Sequence, residues 1–507
     1  MLGVHEIRFL VLLVSILIIY KIIRAYERRR LQKKWNTSSV QEKSFMQGLQ
    51  NLFATFEARR SGRGPEYGKE KLKGSNTISH FLFGKKTFET RDADNIKEVL
   101  VAQSENFGIG RRQQVLYPII GVGIFASEGQ HWSFSRSILK PQFKRDQIMK
   151  VQYLESHIQN LFEHIRSQGS KPFDIQKLFY KLTLDISTEF LFGESLGTLC
   201  KDMKRNEFTN DAQEKEFEAA FNLSQRYMSK RLSLQRFYFL VDSKEFRRAN
   251  EKVKEYAKFY VNKFLNLVPE ELEANSQGHY MFLNELSKEY RSRKFLEDEA
   301  LSLMLAGRST TASLLSFVMF ELEMNQRVWE KIKEEVSNAF GKGEESRLHE
   351  MNFESMKRCK YLQWIMNEAL RLYPPVPLNM RVARKHTKLP KGGGTSQEDP
   401  ILVEKGDTIF LSIYSCHRSK EYYGNDADMF IPERWEHLKF IGRRFLPFGA
   451  GPRMCLGQHL ALTETSYAII RIAQSFLYLT SQSEDYPPKL NSAITMSLMD
   501  GCTISLY

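Results

Sequence analysis

The chain has 507 residues, a formal net charge of +14 and five cysteines. That length holds two or three ordinary domains or one large helical one, with apolar content enough for a sizeable core. Cys200, Cys359, Cys416, Cys455 and Cys502 are odd in number, widely separated and without metal-type spacing. They argue against a disulfide framework or a zinc site and fit a reducing compartment. The basic balance suits an anionic membrane surface or an acidic protein partner. With no aromatic-interleaved basic module, no nucleic acid is expected as a partner.

Taken in chain order, Phe9–Tyr20 are uninterrupted apolar or small residues, and Ile22–Ile23 extend the run past Lys21. Met1–Ile23 is long enough to span a bilayer, although His5, Glu6, Arg8 and Lys21 interrupt it. No small-residue cleavage site follows, which favours an uncleaved anchor over a signal peptide; a buried core helix is the alternative. Seven basic residues lie from Lys21 to Lys34 against one acid, Glu27. The positive-inside rule then puts the body in the cytosol, as for a single-pass anchor of the endoplasmic reticulum. Three segments result: an anchor with its basic flank over 1–30, a linker and domain edge over 31–75, and one large domain over 76–507.

Residues 78–91 read as strands around a Gly84-Lys85 turn. Gly129-Gln-His-Trp-Ser-Phe-Ser-Arg136 places Trp132 and Arg136 four apart, on one helix face. Alone, the pair is equally a surface arginine beside a core tryptophan. Residues 145–290 read as mostly helical, with a break at Lys171-Pro-Phe-Asp174 and an apolar helix over Leu182–Phe192 ending at Gly193. Leu301–Leu322 is apolar nearly all round, as expected of a helix buried in a large core. In its middle stands Ala306-Gly307-Arg308-Ser309-Thr310-Thr311. Glycine inside a buried helix marks close approach or distortion, and the hydroxyls can bond back to the helix or to a ligand. A small-residue packing groove is the alternative. Residues 352–372 read as one helix carrying Glu368 and Arg371 at i, i+3, ordinarily a weak surface pair. Residues 387–415 read as a hairpin-like β region with Gly392–Gly394 in its loop and Ile409–Ile413 as a strand. Tyr467–Leu479 reads as helical, and Pro487–Tyr507 as short strands with a pocket-lining turn at Ala493–Leu498.

The most informative stretch is Phe448-Gly-Ala-Gly-Pro-Arg-Met-Cys-Leu-Gly457. It sets Cys455 in a loop of glycines, just before a helix that opens at His459. A helix N-terminus favours an anion and lowers a thiol pKa. Gly449, Gly451 and Gly457 permit close backbone approach to a flat cofactor. A lone cysteine is more often a small buried hydrophobe. The spacing F-x-x-G-x-R-x-C-x-G, however, resembles the haem-thiolate loop of the cytochrome P-450 monooxygenases.

That resemblance extends over about residues 75–507, with five motifs in family order. It implies a mainly α fold with a smaller β region, carrying one haem b, with Cys455 as the axial ligand of the haem iron. Phe448 and Gly457 belong to the cofactor loop. Trp132, Arg136, Arg381 and Arg453 would hold the propionates, and Thr310 would face the distal oxygen. Ser309 stands where the family's A-G-x-D/E-T-T has an acid. Glu368 and Arg371, followed by Leu372-Tyr373-Pro374-Pro375, resemble the family's structural E-x-x-R helix, which Arg434 would complete. His417 and Arg418 resemble the family's structural His-Arg pair. The implied reaction is NADPH- and O2-dependent hydroxylation, with electrons from a membrane-bound, acidic-faced reductase. No proline-rich hinge follows the anchor, the first proline being Pro65. Ala-Gly-Arg at 306–308, Leu-Pro-Lys-Gly-Gly-Gly at 389–394, Pro-Glu-Arg-Trp at 432–435, Ala-Leu-Thr-Glu-Thr-Ser-Tyr at 461–467 and Thr-Met-Ser-Leu-Met-Asp-Gly at 495–501 resemble the yeast and fungal alkane and fatty-acid ω-hydroxylases. A sterol or xenobiotic hydroxylase, a reductase-independent isomerase or dehydratase, and a haem binder without turnover are the alternatives.

Overall fold

Helical apolar spacing prevails along the chain, and helices prevail in the fold; the strands gather into small sheets. The computed structural model describes residues 4–41, 45–82, 85–143, 151–200, 211–276, 281–438, 441–481 and 485–507. Its residues fall into two units. The first comprises Met1–Asn51, Lys71–Gly108 and Met380–Leu411; the second comprises Leu52–Glu70, Ile109–Asn379 and Ser412–Tyr507.

In the first unit the hairpin Thr77–Leu82 and Lys85–Thr90 opens a sheet. The turn expected at Gly84-Lys85 includes residues 83–84, which lie outside the described residues. Lys85–Thr90 continues in parallel with Thr408–Ser412, then come Leu378–Ala383 and Phe107–Gly108. Thr387–Gly393 pairs antiparallel with Asp399–Val403, the hairpin expected from Gly392–Gly394. The N-terminal helix runs Val4–Trp35, beyond the apolar run and through the basic flank. Leu12, Ile16, Ile19, Ile22 and Ile23 are exposed along it. The stretch expected as linker is largely helical: Phe45–Arg60 and Gly64–Lys71 follow, the second lying in the other unit apart from Lys71.

The second unit is built on the helix Arg293–Met324, packed against Ile175–Phe192, Lys360–Leu372 and Gln458–Ser475. This helix is long and apolar enough to cross a membrane, yet 72% of its apolar window is buried. It is the core helix that its all-round apolarity predicts. Its two halves serve different cores. Phe295, Leu296, Ala300, Leu301 and Met304 join one apolar cluster, whereas Ala312, Leu315, Phe317, Val318 and Leu322 join another. The small and polar segment 306–311 falls at the junction.

Local chemistry sets several boundaries. Ile175–Phe192 begins where Asp174 accepts from the Gln176 N–H and ends at Gly193, φ +77°. It starts earlier than the apolar stretch Leu182–Phe192 alone suggests. The single helix expected over 352–372 is two, Phe353–Arg358 and Lys360–Leu372, broken at Cys359. The second start is stabilised by a distant carboxylate: Glu335 accepts from the N–H groups of Tyr361 and Leu362 at 2.8 and 2.9 Å. Gln458–Ser475 stops before Leu479, which instead opens the strand Leu479–Ser481. The C-terminal strands expected after Pro487 are Leu490–Ser492, Met496–Leu498 and Thr503–Leu506.

Glu368 and Arg371 are fully buried rather than a surface pair. Arg371 donates to both Glu368 carboxylate oxygens, at 2.9 and 2.7 Å, and to the carbonyls of His417, Ala427 and Met429. Arg434 donates to Glu368 at 2.8 Å and Trp435 at 2.9 Å, and the Ile431 N–H adds a further bond. Arg418 donates to the Leu372 carbonyl and lies over the Tyr414 ring, as a structural residue does. Removing one member of a buried, fully bonded ion pair costs about 3–5 kcal/mol, because the other charge stays buried. Arg371→Ala is therefore expected to lose that much in denaturant unfolding, enough to empty the soluble fraction. Arg434→Ala, which leaves Glu368 its nearer guanidinium, loses less. A wild-type unfolding midpoint for Arg371→Ala contradicts this reading.

Candidate active site around Cys455

The buried ion pair reaches the cysteine loop through His417. Burial and the Arg371 charge push its imidazole down to about 3, so it is neutral. Its Nε2 accepts from the Leu446 N–H at 2.8 Å. The Leu446 carbonyl takes the Gly449 N–H, and the Phe448 carbonyl takes the Cys455 N–H, both at 3.0 Å. A short 3-10 turn, Gly451–Arg453, fills the loop between. Gly449 has φ +72°, and a Cβ there would meet nothing within 4 Å, so conformation alone calls for glycine. Gly457 has an ordinary φ and a Cβ there would only touch Phe143 at 3.7 Å. The loop also joins the two cores, with Phe448 packed on one and Leu456 on the other.

Cys455 is exposed, yet burial by surrounding protein pushes its thiol up, against the Gly457 N–H and the Arg136 charge. A side chain that is accessible but desolvated lines a concave wall. The Arg136 guanidinium donates to the Met454 carbonyl at 3.0 Å, one residue before the cysteine. Trp132 lies between two cations: Arg453 at 4.4 Å and Arg136 at 5.8 Å from its ring centroid. Arg453 also donates to the Ser127 carbonyl at 2.8 Å. The structure thus brings Trp132, Arg136, Arg453 and Cys455 together. Arg381 belongs to the first unit, where it is buried and donates to the Met380 carbonyl.

On the central helix, Leu303, Leu305, Ala306, Gly307 and Thr310 are the partly accessible residues between Asp298 and Glu323. The spacing 303, 306, 307, 310 is one helix face. Thr310 donates back to the Ala306 carbonyl at 2.7 Å. Gly307 is a packing glycine: a Cβ would fall 2.7 Å from the Ser187 hydroxyl of the neighbouring helix. Ser309, expected beside Thr310 in the site, is instead buried off this face, donating to Gln225 at 2.9 Å. Arg308 likewise turns to Asn222 at 2.7 Å, with Glu218 at 3.8 Å. Sequence reasoning missed Gln225, His417's bond to the loop, and Glu464, a buried carboxyl. The last had a visible signal, a glutamate inside an apolar helical run.

An accessible thiol on a glycine loop, with guanidinium groups beside it, has the donor chemistry of a haem-thiolate site. The donor set fits: a sulfur for iron, arginines for propionates, and a loop without side chains at Gly449 and Gly457. The comparisons agree. The family model described as Cytochrome P450 matches residues 67–501. The chain is similar to Cytochrome P450 52A12 of Debaryomyces hansenii, 43% identical over 98% of this chain and 97% of that protein. It is 48% identical to Cytochrome P450 52A6 of Candida tropicalis, over 82% of this chain and 80% of that protein. It is 44% identical to Cytochrome P450 52A3-A of Candida maltosa, over 90% of this chain and 89% of that protein. The chain belongs to the cytochrome P450 family, whose haem iron is thiolate-bound, and is a monooxygenase.

Proposed function

We propose that this monooxygenase hydroxylates long-chain n-alkanes or fatty acids, most readily at the terminal carbon, using electrons passed from NADPH by a membrane-bound reductase. The observation that carries the reading is the accessible face of the central helix. Leu303, Ala306 and Gly307 give it a largely apolar lining with Thr310 as its hydroxyl. The five strings that resemble those of the alkane and fatty-acid hydroxylases support the substrate class.

In this reading Cys455 holds the iron of haem b, which supplies oxygen activation helped by electron release from the thiolate. Burial keeps the free thiol up, so ligation displaces its proton. Trp132, Arg136 and Arg453 would hold the propionates, and Phe448 and Gly457 flank the loop. The Thr310 hydroxyl, its hydrogen given to the Ala306 carbonyl, offers an acceptor on the substrate side. The helix Val4–Trp35, with exposed apolar residues and a basic C-terminal half, anchors the protein in the endoplasmic reticulum membrane, the body cytosolic.

Two experiments follow. Incubation with a reductase and a panel of alkanes, fatty acids and sterols is expected to give NADPH-dependent ω-hydroxylated chains. Sterol products alone contradict the substrate class. Turnover of hydroperoxides without reductase shows an isomerase or dehydratase instead. Deleting Met1–Arg30 is expected to leave haem content unchanged and release much of the protein from membranes. Loss of haem on truncation makes the segment part of the core.

A further inference from the structure

The helix Val4–Trp35 does not run out into a free linker. Asn36 closes it with φ +49°, and the Thr37 N–H returns to the Gln32 carbonyl at 3.0 Å. The chain then joins the hairpin of the first unit. The Ser38 N–H donates to the Pro400 carbonyl at 2.9 Å and the Ser38 hydroxyl to Asp399 at 2.7 Å. The Gly394 N–H donates to the Ser39 carbonyl at 3.1 Å. A second attachment lies farther back along the helix. Arg24 and Arg28, four apart on one face, flank the Glu404 carboxylate at 3.5 and 3.8 Å. An exposed ion pair alone holds little. Joined to the backbone bonds beyond residue 36, it fixes the helix on the hairpin at two heights.

Arg24 is the first residue after the apolar run that ends at Ile22–Ile23. In a membrane-spanning helix that residue lies at headgroup level, where long cationic side chains gather. Its partner Glu404 then lies at that level too. Glu404 opens the turn between Asp399–Val403 and Thr408–Ser412. In that turn the Lys405 N–H donates to His386 Nδ1 at 3.3 Å, and the Gly406 N–H to the Ala383 carbonyl at 2.8 Å. The two turns, 384–386 and 404–407, thus form one corner. Lys385, His386, Lys388 and Lys405 are exposed on it. Among the described residues, Lys385, Lys388 and Lys405 pair with no carboxylate. The neighbouring loop, whose Gln103 donates to the Lys388 carbonyl at 3.2 Å, adds one exposed acid, Glu105, and the exposed apolar Val101.

We propose that this corner binds anionic lipid headgroups and seats the first unit on the membrane beside its anchor. The inference rests on the anchor reading above. The Lys385, Lys388 and Lys405 ammonium groups meet the phosphate and carboxylate groups of the bilayer surface. A bilayer fits better than an acidic protein, because Glu404 ties the corner to the residue at which the helix leaves the apolar layer. The stitched segment 36–40 stands where a hinge would otherwise be, so the corner stays at that level. Each lysine held at an anionic surface strengthens attachment roughly five-fold.

The test places the full chain in bilayer discs of phosphatidylcholine, with or without phosphatidylserine. A water-soluble amine reagent then modifies the lysines, and mass spectrometry reads each one. Labelling of Lys385, Lys388 and Lys405 is expected to fall about five-fold in the anionic discs and to recover at high salt. Exposed Lys342, outside the corner, should label alike in both. Lys385→Glu combined with Lys405→Glu should abolish the protection of Lys388 while haem content is kept. Equal labelling of the three lysines in both kinds of disc overturns the proposal, as does full protection of Lys388 in the double variant. Protection that appears only when an acidic protein partner is added assigns the corner to that partner and overturns it as well. Release of the full chain from vesicles by alkaline carbonate is a separate result: it overturns the anchor reading, and the proposal with it.

Discussion

The structure depends most on one buried charge, the Glu368 carboxylate. It has no access to water and is held by Arg371, Arg434, Trp435 and a backbone N–H. A charge in that position is tolerable only when every lone pair is used, so the network fixes the segments that supply its donors. Those segments contain His417 and, through its neutral imidazole, the entry to the cysteine loop. The loop's shape is thereby set from the protein interior, not by the cysteine itself.

A second constraint comes from the central helix. Each of its halves is committed to a different apolar core, and the residues at the junction cannot be large and apolar on every side. Alanine, glycine, serine and threonine occupy it. One face stays partly accessible; the other sides are fastened by hydrogen bonds with Thr183, Gln225 and Asn222. The site is therefore where core packing is interrupted, and the interruption is held rigid by hydrogen bonds.

Much of this was legible in the sequence where the signal is local. The spacing around Cys455, the Trp132–Arg136 pair and the Glu368–Arg371 pair lie within single turns or loops, and the apolar circumference of the central helix marks its burial. What could not be read depends on distant partners. The break at Cys359 goes with Glu335, 26 residues from Tyr361. The turn of Ser309 away from the accessible face needs Gln225, 84 residues earlier. The helix through residues 31–35 was hidden because polar and basic residues read as linker, though few of them break a helix.

The central claim is that Cys455, presented by this loop, is the ligand of haem iron. The carbon monoxide difference spectrum of the reduced protein tests it most directly, wild type beside Cys455→Ala. The account predicts a thiolate-type spectrum for the wild type that disappears in the variant. A wild-type spectrum typical of histidine-ligated haem, or an unchanged thiolate spectrum in Cys455→Ala, contradicts it.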